Sequence, residues 1–440
     1  MAVDLQSPRR LTLGAVSVPL YRVWQVAAYL ACWLEVRLFT DLRNYFGPMK
    51  SPVAFYLASV ALCAFTLLYF LHRPTGAPTT AEPSGRRYDV VLTVLLLGGL
   101  AAASFQGPVI AATPIDINAS DVIPILETYV SRFRAGETVY KYIYFSYPLF
   151  PNHLPMQWLP YVVAEHIGAD YRWMGLMLLL VLGFGAYQWV LIRQHQSWGQ
   201  LLLKSVLPAA LLCWILYKDP SIYAHTIETT IIAYYCILAA GVLTRSVLWQ
   251  AVGLTVCLTS RYSVVLWVPL YGLILWFSAG RSHAIKVALL TLLGVVVVYV
   301  WPFLSKDWTI FTHALREYRI ATVGEWTREY HLFNGVGFAG ILLRHSSGTI
   351  QEKIDLLQRL LLMCGGGVLL VSGALYWWLR HRIDYRLLSL ISLKWYLATF
   401  YAFLQIPYTY LTSLVLFISL FLILVIGTRS VMEPAAVDHA

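Results

Sequence analysis

Two aspartates stand in a polar stretch that directly follows a long apolar run. The apolar run covers residues 88–106, and the polar stretch 107–170 contains Asp116 and Asp121. A carboxylate held beside an acceptor hydroxyl acts as a general base in group transfer. Apolar side chains follow Asp121 at helical spacing, so we expect an amphipathic helix that begins there with Ser120 as its cap. The alternative is structural: Asp121 is then a charge favoured by the helix dipole, and Asp116 a solvated loop residue.

Other charged or polar side chains interrupt apolar sequence and are candidates for binding a substrate. Arg261 divides the apolar segment 247–279, where a charge is costly and usually functional, although its side chain can also snorkel to the interface. His225 and Glu228 stand three residues apart at the start of another apolar run, and they either bind a substrate or pair with each other. Polar stretches contribute the remaining candidates, which are His153 (either a turn residue or a ligand), Arg316, Arg319 and Arg328.

The composition is that of a chain that crosses a membrane many times. Of its 440 residues, 59% are hydrophobic and only 12% are charged, whereas soluble chains average roughly 25% charged residues. A bilayer accepts an apolar surface that a soluble core of this size cannot hide. The net charge of +10 does not indicate a nucleic-acid partner, because the basic residues are scattered singly and form no basic stripe.

The apolar runs predict an all-α fold, a polytopic transmembrane bundle of about 11 to 12 helices. The strong runs are 53–71, 88–106, 171–192, 224–243, 285–303, 356–379, 386–404 and 408–427, and a weaker one is 201–217. The stretch 18–39 contains three charges, so it either crosses the membrane or lies flat in the interface. The broken run 247–279 predicts two short helices in a tight hairpin.

Charge in the connecting segments predicts the orientation. One set of short loops is rich in basic residues: Arg73, Arg86, Arg87, Arg193, Lys204, Arg245, Arg281, Lys286, Arg380, Arg382 and Arg386. Basic loops face the cytoplasm, so 107–170 and a second long loop, 305–355, are expected outside it and should carry interfacial helices. We divide the chain into N-terminal helices and a cytoplasmic linker (1–87), a membrane core (88–427) and a cytoplasmic tail (428–440).

The first outer stretch resembles a known superfamily. Its sequence SDVIP…RFRAGE…VY…P…PMQWLPYV, placed shortly after a core helix, resembles the GT-C superfamily of polytopic glycosyltransferases. The resemblance extends to the helix layout of 88–427, but only this first outer stretch matches in residues. It implies an inverting enzyme that takes sugar from a polyprenyl-phosphate carrier and passes it to a glycan, lipid or protein acceptor.

The same resemblance assigns roles to the candidate residues. Asp121 is expected to be the general base, with Asp116 as the second choice. Arg261, Arg316, Arg319 and Arg328 are candidates for the carrier phosphate, while His225 and Glu228 orient the sugar or the acceptor. A metal is not expected, since a monophosphate can leave with arginine assistance alone, and no other cofactor is predicted.

Two other functions remain open at this stage. The chain can be a transporter or flippase of lipid-linked saccharides. Transporters typically carry broken helices at matching positions of two halves, whereas the polar residues here gather at one face, which favours an enzyme. It can also be a ligase or polymerase that joins whole glycans. Compact loops favour an integral protein of a bacterial inner membrane.

Overall fold

A computed structural model describes residues 10–13, 16–74, 85–145, 148–194 and 196–427. Most of the predicted linker and the whole predicted tail, 428–440, therefore lie outside the described residues. Two short antiparallel hairpins are present: β1 (Arg10–Leu13) pairs with β2 (Val16–Pro19), and β3 (Ile143–Tyr144) pairs with β4 (Pro148–Leu149).

Almost everything else in the described chain is helical. In chain order the α-helices are α1 (Leu20–Phe39), α2 (Leu42–His72), α3 (Gly85–Ala112), α4 (Val122–Arg134), α5 (Pro155–Trp158), α6 (Tyr161–Ile167), α7 (Tyr171–Leu178), α8 (Gly185–Ile192), α9 (Trp198–Lys218), α10 (Glu228–Thr244), α11 (Val247–Leu258), α12 (Trp267–Ser278), α13 (Arg281–Val295), α14 (Thr309–Trp326), α15 (Glu329–Phe333), α16 (Ala339–His345), α17 (Ile350–Leu379), α18 (Tyr385–Ala402) and α19 (Thr409–Val425). A π-helical segment, Leu179–Phe184, joins α7 to α8, and another, Val296–Leu304, extends α13. The all-α prediction is confirmed.

Six helices in the described residues are long and apolar enough to cross a bilayer. They are Leu42–His72, Arg86–Ala112, Tyr171–Ile192, Trp198–Lys218, Arg281–Leu304 and Ile350–Leu379, and four shorter apolar helices are α10, α11, α12 and α19. These helices are compatible with a multi-pass membrane protein. The total of 11 to 12 spans and the interfacial position of α4 and α14 stay predictions.

The outward surface of α3 shows why a lipid environment suits this bundle. Leu96, Leu97 and Leu100 are 61%, 61% and 66% exposed. Water would solvate such a face poorly, whereas hydrocarbon accepts it without cost. The centre of the bundle is the opposite case, because nearly every residue of α10, α18 and α19 is buried.

Within the stretch 18–39, residues 20–39 form the continuous helix α1, which packs along α2 and also contacts α19. Its most polar interruption, Glu35, is fully buried and forms an ion pair with Lys394 of α18, which is also fully buried. Ser59 of α2 and Ser419 of α19 both donate hydrogen bonds to Glu35, the latter at 2.6 Å. The charge of Glu35 is therefore satisfied inside the bundle. α1 is not among the six candidate spans, so its crossing of the membrane stays a prediction.

The segment 247–279 forms two helices, as predicted, but they are not a tight hairpin. Each has 12 residues, a length of about 18 Å, which is shorter than the ~30 Å hydrocarbon core. α11 packs mainly against α10 and then α13, and α12 packs mainly against α13, so neither packs mainly against the other. The junction between them carries Arg261, which is thereby held inside the bundle.

An Asp-Tyr-Arg tripeptide fixes the starts of two helices in the same way. Asp170 caps α7 and forms a salt bridge with Arg172, whose guanidinium also donates to the carbonyl oxygens of Thr113 and Ala224 at 2.5 and 3.1 Å. This arginine ties the end of α3 to the turn that precedes α10. Asp384 and Arg386 repeat the arrangement at the start of α18, where Arg386 donates to the carbonyl of Leu243.

Candidate functional site

Glu228 and Arg261 form the centre of a polar cluster at one end of the bundle, which we call the site end. Glu228 is the first residue of α10, and its side chain is 1% exposed. Both of its carboxylate oxygens accept from the Arg261 guanidinium, at 2.9 and 2.5 Å. A bidentate pair of this kind has a fixed geometry, so each side chain orients the other.

The neighbours of Arg261 hold the junction between α11 and α12 in place. The Tyr401 hydroxyl, near the end of α18, accepts from Arg261 at 3.4 Å and itself donates to Ser263 at 3.3 Å. Gln157 of α5 donates to the carbonyl of Ser260 at 2.5 Å. The polar stretch after α4 therefore supports the junction that carries Arg261.

Asp121 lies at the same end of the bundle. It is half-buried and occupies the position directly before α4, although its side chain makes no capping hydrogen bond. The charge of Asp121 acts on Tyr408 and Tyr410, which begin α19. The charges of Glu228 and Arg261 act on Tyr410 as well. Tyr410 therefore lies within electrostatic reach of Asp121 and of the Glu228–Arg261 pair.

His153 completes the cluster on the side of α4. Its ring nitrogen Nδ1 and the hydroxyl of Tyr129, a buried residue of α4, are 3.3 Å apart. Burial, with the nearby charge of Arg261 as the second cause, lowers the pKa of His153 from 6.5 to about 4. A neutral imidazole can both donate and accept a hydrogen bond, so His153 is suited to orienting a hydroxyl group.

We expect His153 to stay uncharged at neutral and mildly acidic pH. Because the folded-state pKa is depressed, the unfolded chain takes up this proton first, and stability is lost as the pH falls from about 6.5 towards 4. Nuclear magnetic resonance of protein labelled with ¹⁵N-histidine, with the signal assigned by loss in His153→Gln, measures the titration. A midpoint near 6.5 for this ring would contradict the arrangement.

A second carboxylate flanks the start of α19. The Tyr408 hydroxyl donates to Glu325 of α14 at 3.1 Å, and Arg328 lies 3.5 Å from Glu325. The rings of Tyr408 and Tyr410 are stacked, with centroids 5.5 Å apart. Offset stacking of aromatic rings is favourable, so the two phenols hold each other in a fixed orientation at the start of α19.

The predicted arginines of the second outer stretch lie apart from the Glu228–Arg261 pair. Arg316, Arg319 and Arg328 have side chains that are 64%, 57% and 69% exposed. Each has an acidic neighbour within 4 Å, and the neighbour of Arg319 is Asp355 at 3.2 Å. Only Arg328 approaches the cluster, through Glu325.

Asp116 has a local role in its own loop. It is exposed, and its carboxylate accepts from the backbone and side-chain nitrogens of Asn118 at 2.9 and 3.0 Å. This is the geometry of an Asx turn, which a short side chain makes with the backbone two residues later.

Three local predictions need correction. The helix predicted over 224–243 begins only at Glu228, because residues 220–227 form a 3₁₀ turn and an irregular stretch. His225 is therefore not one helical turn before Glu228, and Glu228 pairs with Arg261 instead. At α4, Asp121 holds the N-cap position that was expected for Ser120, whose hydroxyl accepts from Val122 N at 3.4 Å.

His225 nevertheless lies beside the start of α4. Its carbonyl oxygen accepts from the Ser120 hydroxyl at 3.4 Å, and burial, followed by the charge of Arg172, lowers the pKa of its half-buried ring. The contact brings the turn before α10 next to the residue preceding Asp121.

Sequence reasoning missed the tyrosines of the cluster. Tyr401, Tyr408 and Tyr410 lie near helix ends, where tyrosine is common in membrane proteins, so nothing in the sequence distinguishes them. A group of three or more His, Cys, Asp or Glu side chains able to hold a metal ion is not found within the described ranges. The metal-independent reaction stays a prediction.

Comparisons with known proteins add no relative: no family model, no curated protein and no solved structure matches this chain.

Proposed function

We propose that this protein is a membrane glycosyltransferase that moves a sugar from a polyprenyl-phosphate carrier to an acceptor hydroxyl outside the cytoplasm. The observation that carries the proposal is the hydrogen bond from Ser120 to the His225 carbonyl, which places the start of α4, with Asp121, beside the turn that leads to Glu228 and its partner Arg261. Inverting transfer needs a carboxylate base on one side of the anomeric carbon and a cation near the leaving phosphate on the other. The carboxylate of Asp121 and the guanidinium of Arg261, both at the site end, support this proposal.

In the proposed reaction the acceptor oxygen forms a bond to the anomeric carbon as the bond from that carbon to the phosphate oxygen breaks. The carboxylate of Asp121 takes the proton of the acceptor hydroxyl. The electron pair of the broken bond leaves with the polyprenyl phosphate, and Arg261 stabilises the negative charge that develops there. His153 and Glu325 orient sugar or acceptor hydroxyls.

Glu228 has a positioning role in this scheme. A guanidinium has five N–H donors, and the contacts with Glu228 and Tyr401 leave part of this capacity for a phosphate oxygen. A buried arginine without its carboxylate would be costly to keep in place. Glu228 therefore holds Arg261 at the site in the absence of donor.

The setting of the proposed enzyme is a bacterial inner membrane, with the site end facing away from the cytoplasm. Its partners are the lipid-linked donor, a glycan, lipid or protein acceptor, and membrane lipids. The same charges could serve a ligase that joins whole glycans, since that reaction also needs a base and a cation at a leaving phosphate.

The second candidate function is a transporter or flippase of lipid-linked saccharides, and the feature that bears on it is a buried charge pair. The Glu35–Lys394 pair is fully buried among four helices, and charges within a membrane bundle often mark a transport path. Its hydrogen bonds to Ser59 and Ser419 satisfy Glu35 within the packed core, which favours a structural role.

A proteoliposome assay separates the two functions. The purified protein is reconstituted with polyprenyl-phosphate sugars that carry one label in the sugar and another in the phosphate, together with a membrane extract as the source of acceptors. We expect the labels to separate as sugar moves to the acceptor and polyprenyl phosphate is released. Movement of intact donor between leaflets, with both labels still together, would identify a transporter and contradict the enzyme.

A further inference from the structure

The end of the bundle opposite the site end contains a small pocket between α3 and α9. The pocket has a volume of about 310 Å³ and is lined by Arg86 and Val90 of α3 and by Trp198 and Leu202 of α9. Both helices begin at this end and pack against each other. The charge pattern of the sequence predicts that this end faces the cytoplasm.

The lining changes from polar to apolar along the helix axes. Arg86 and Trp198 lie in the first turn of their helices, and Val90 and Leu202 follow one turn later on the same faces. Beyond the pocket the surface remains apolar, with Leu92 and Leu203 55% and 67% exposed. A ligand that fits this order has an anionic head and a hydrocarbon body.

The two arginines at the pocket, Arg86 and Arg87, are not neutralised by an acidic partner among the described residues. Arg87 lies over the Trp198 ring at 5.8 Å and donates to the carbonyl of Gln196 at 3.3 Å, neither of which neutralises it. Among the described residues, neither Arg86 nor Arg87 forms a salt bridge with a carboxylate, including the exposed Asp89 on the same helix.

We propose that this pocket binds the headgroup of an anionic phospholipid of the cytoplasmic leaflet. The phosphate lies against Arg86 and Arg87, the glycerol backbone packs on Trp198, and the acyl chains follow the apolar surfaces of α3 and α9. Basic pockets between membrane helices at the cytoplasmic side recognise anionic lipids by this combination of charge and apolar contact. The inference does not depend on the proposed function.

Native mass spectrometry of the detergent-purified full-length chain tests the proposal, with phosphatidylglycerol, phosphatidylcholine and inorganic phosphate as probes. We expect phosphatidylglycerol to bind more tightly than phosphatidylcholine. At about 1 kcal/mol for each basic residue near the headgroup, Arg86→Ala/Arg87→Ala should weaken phosphatidylglycerol binding roughly 30-fold. Arg86→Lys/Arg87→Lys keeps both charges and should retain most of the affinity, which separates loss of charge from loss of fold.

Arg380→Ala is the matched control. Arg380 also lies over a tryptophan, Trp377, at 3.7 Å and at the end of a long apolar helix, but it does not line this pocket. This variant should bind phosphatidylglycerol like the wild type. Equal binding of the two lipids, unchanged binding by the double alanine variant, or displacement of the lipid by inorganic phosphate at similar concentration would each overturn the proposal.

Discussion

Replacing Asp121 with Asn is expected to lower the rate of sugar transfer by about 10²- to 10⁴-fold, the usual contribution of a general base. The amide has nearly the shape of the carboxylate but cannot take the acceptor proton. The side chain makes no capping bond to α4, so the helix should still form. Transfer of labelled sugar by purified protein in proteoliposomes measures the effect, and gel filtration checks the fold.

Asp116→Asn is the matched control for that variant. Asp116 is exposed and binds the nitrogens of Asn118 through one carboxylate oxygen, and the side-chain oxygen of Asn can accept the same bonds. Transfer should therefore stay at the wild-type rate. If Asp121→Asn is as active as the wild type, or if Asp116→Asn loses activity to the same extent, Asp121 is not the base.

The second large effect concerns stability and not catalysis. Lys394→Met should destabilise the folded protein by about 3–5 kcal/mol, the cost of leaving one charge of a buried pair without its partner. Glu35 would then remain fully buried, with Ser59 and Ser419 as hydrogen-bond donors but without a cation. Denaturant unfolding of the purified protein in detergent, followed by tryptophan fluorescence, measures the change.

Two further variants make this test specific. Lys394→Met/Glu35→Leu removes both charges and should recover most of the stability, because an apolar pair of similar volume often replaces a buried ion pair at little cost. Arg319→Met breaks the exposed pair with Asp355, which should cost only about 0–1 kcal/mol. Equal losses of unfolding free energy in Lys394→Met and Arg319→Met would show that the buried pair contributes no more to stability than the exposed pair.

Local apolar runs were sufficient to predict most of the long helices. The run 171–192 matches the observed Tyr171–Ile192, and 356–379 lies within Ile350–Leu379. The errors are at polar ends: 53–71 is only the apolar part of α2, which begins at Leu42 and bends at Gly47. A hydropathy pattern does not detect the polar N-terminal part of such a helix, because a helix can continue from an apolar into a polar segment.

Contacts between distant segments were beyond the reach of the sequence. Glu228 and Arg261 were both candidates, but their direct pairing joins residues 33 positions apart. Lys394 and its partner Glu35 are 359 positions apart. The spacing of residue types predicts which face of a helix is polar, whereas the packing of helices decides which polar faces meet.

The position of a bound carrier phosphate decides whether Arg261 receives the leaving group. An electron cryo-microscopy structure of the protein with an added polyprenyl monophosphate would reveal it. We expect density for the phosphate against the Arg261 guanidinium, on the side that faces Asp121, with the isoprenoid chain leading into the membrane region. A phosphate bound elsewhere, with Arg261 still paired to Glu228 and Tyr401, would contradict the proposed reaction.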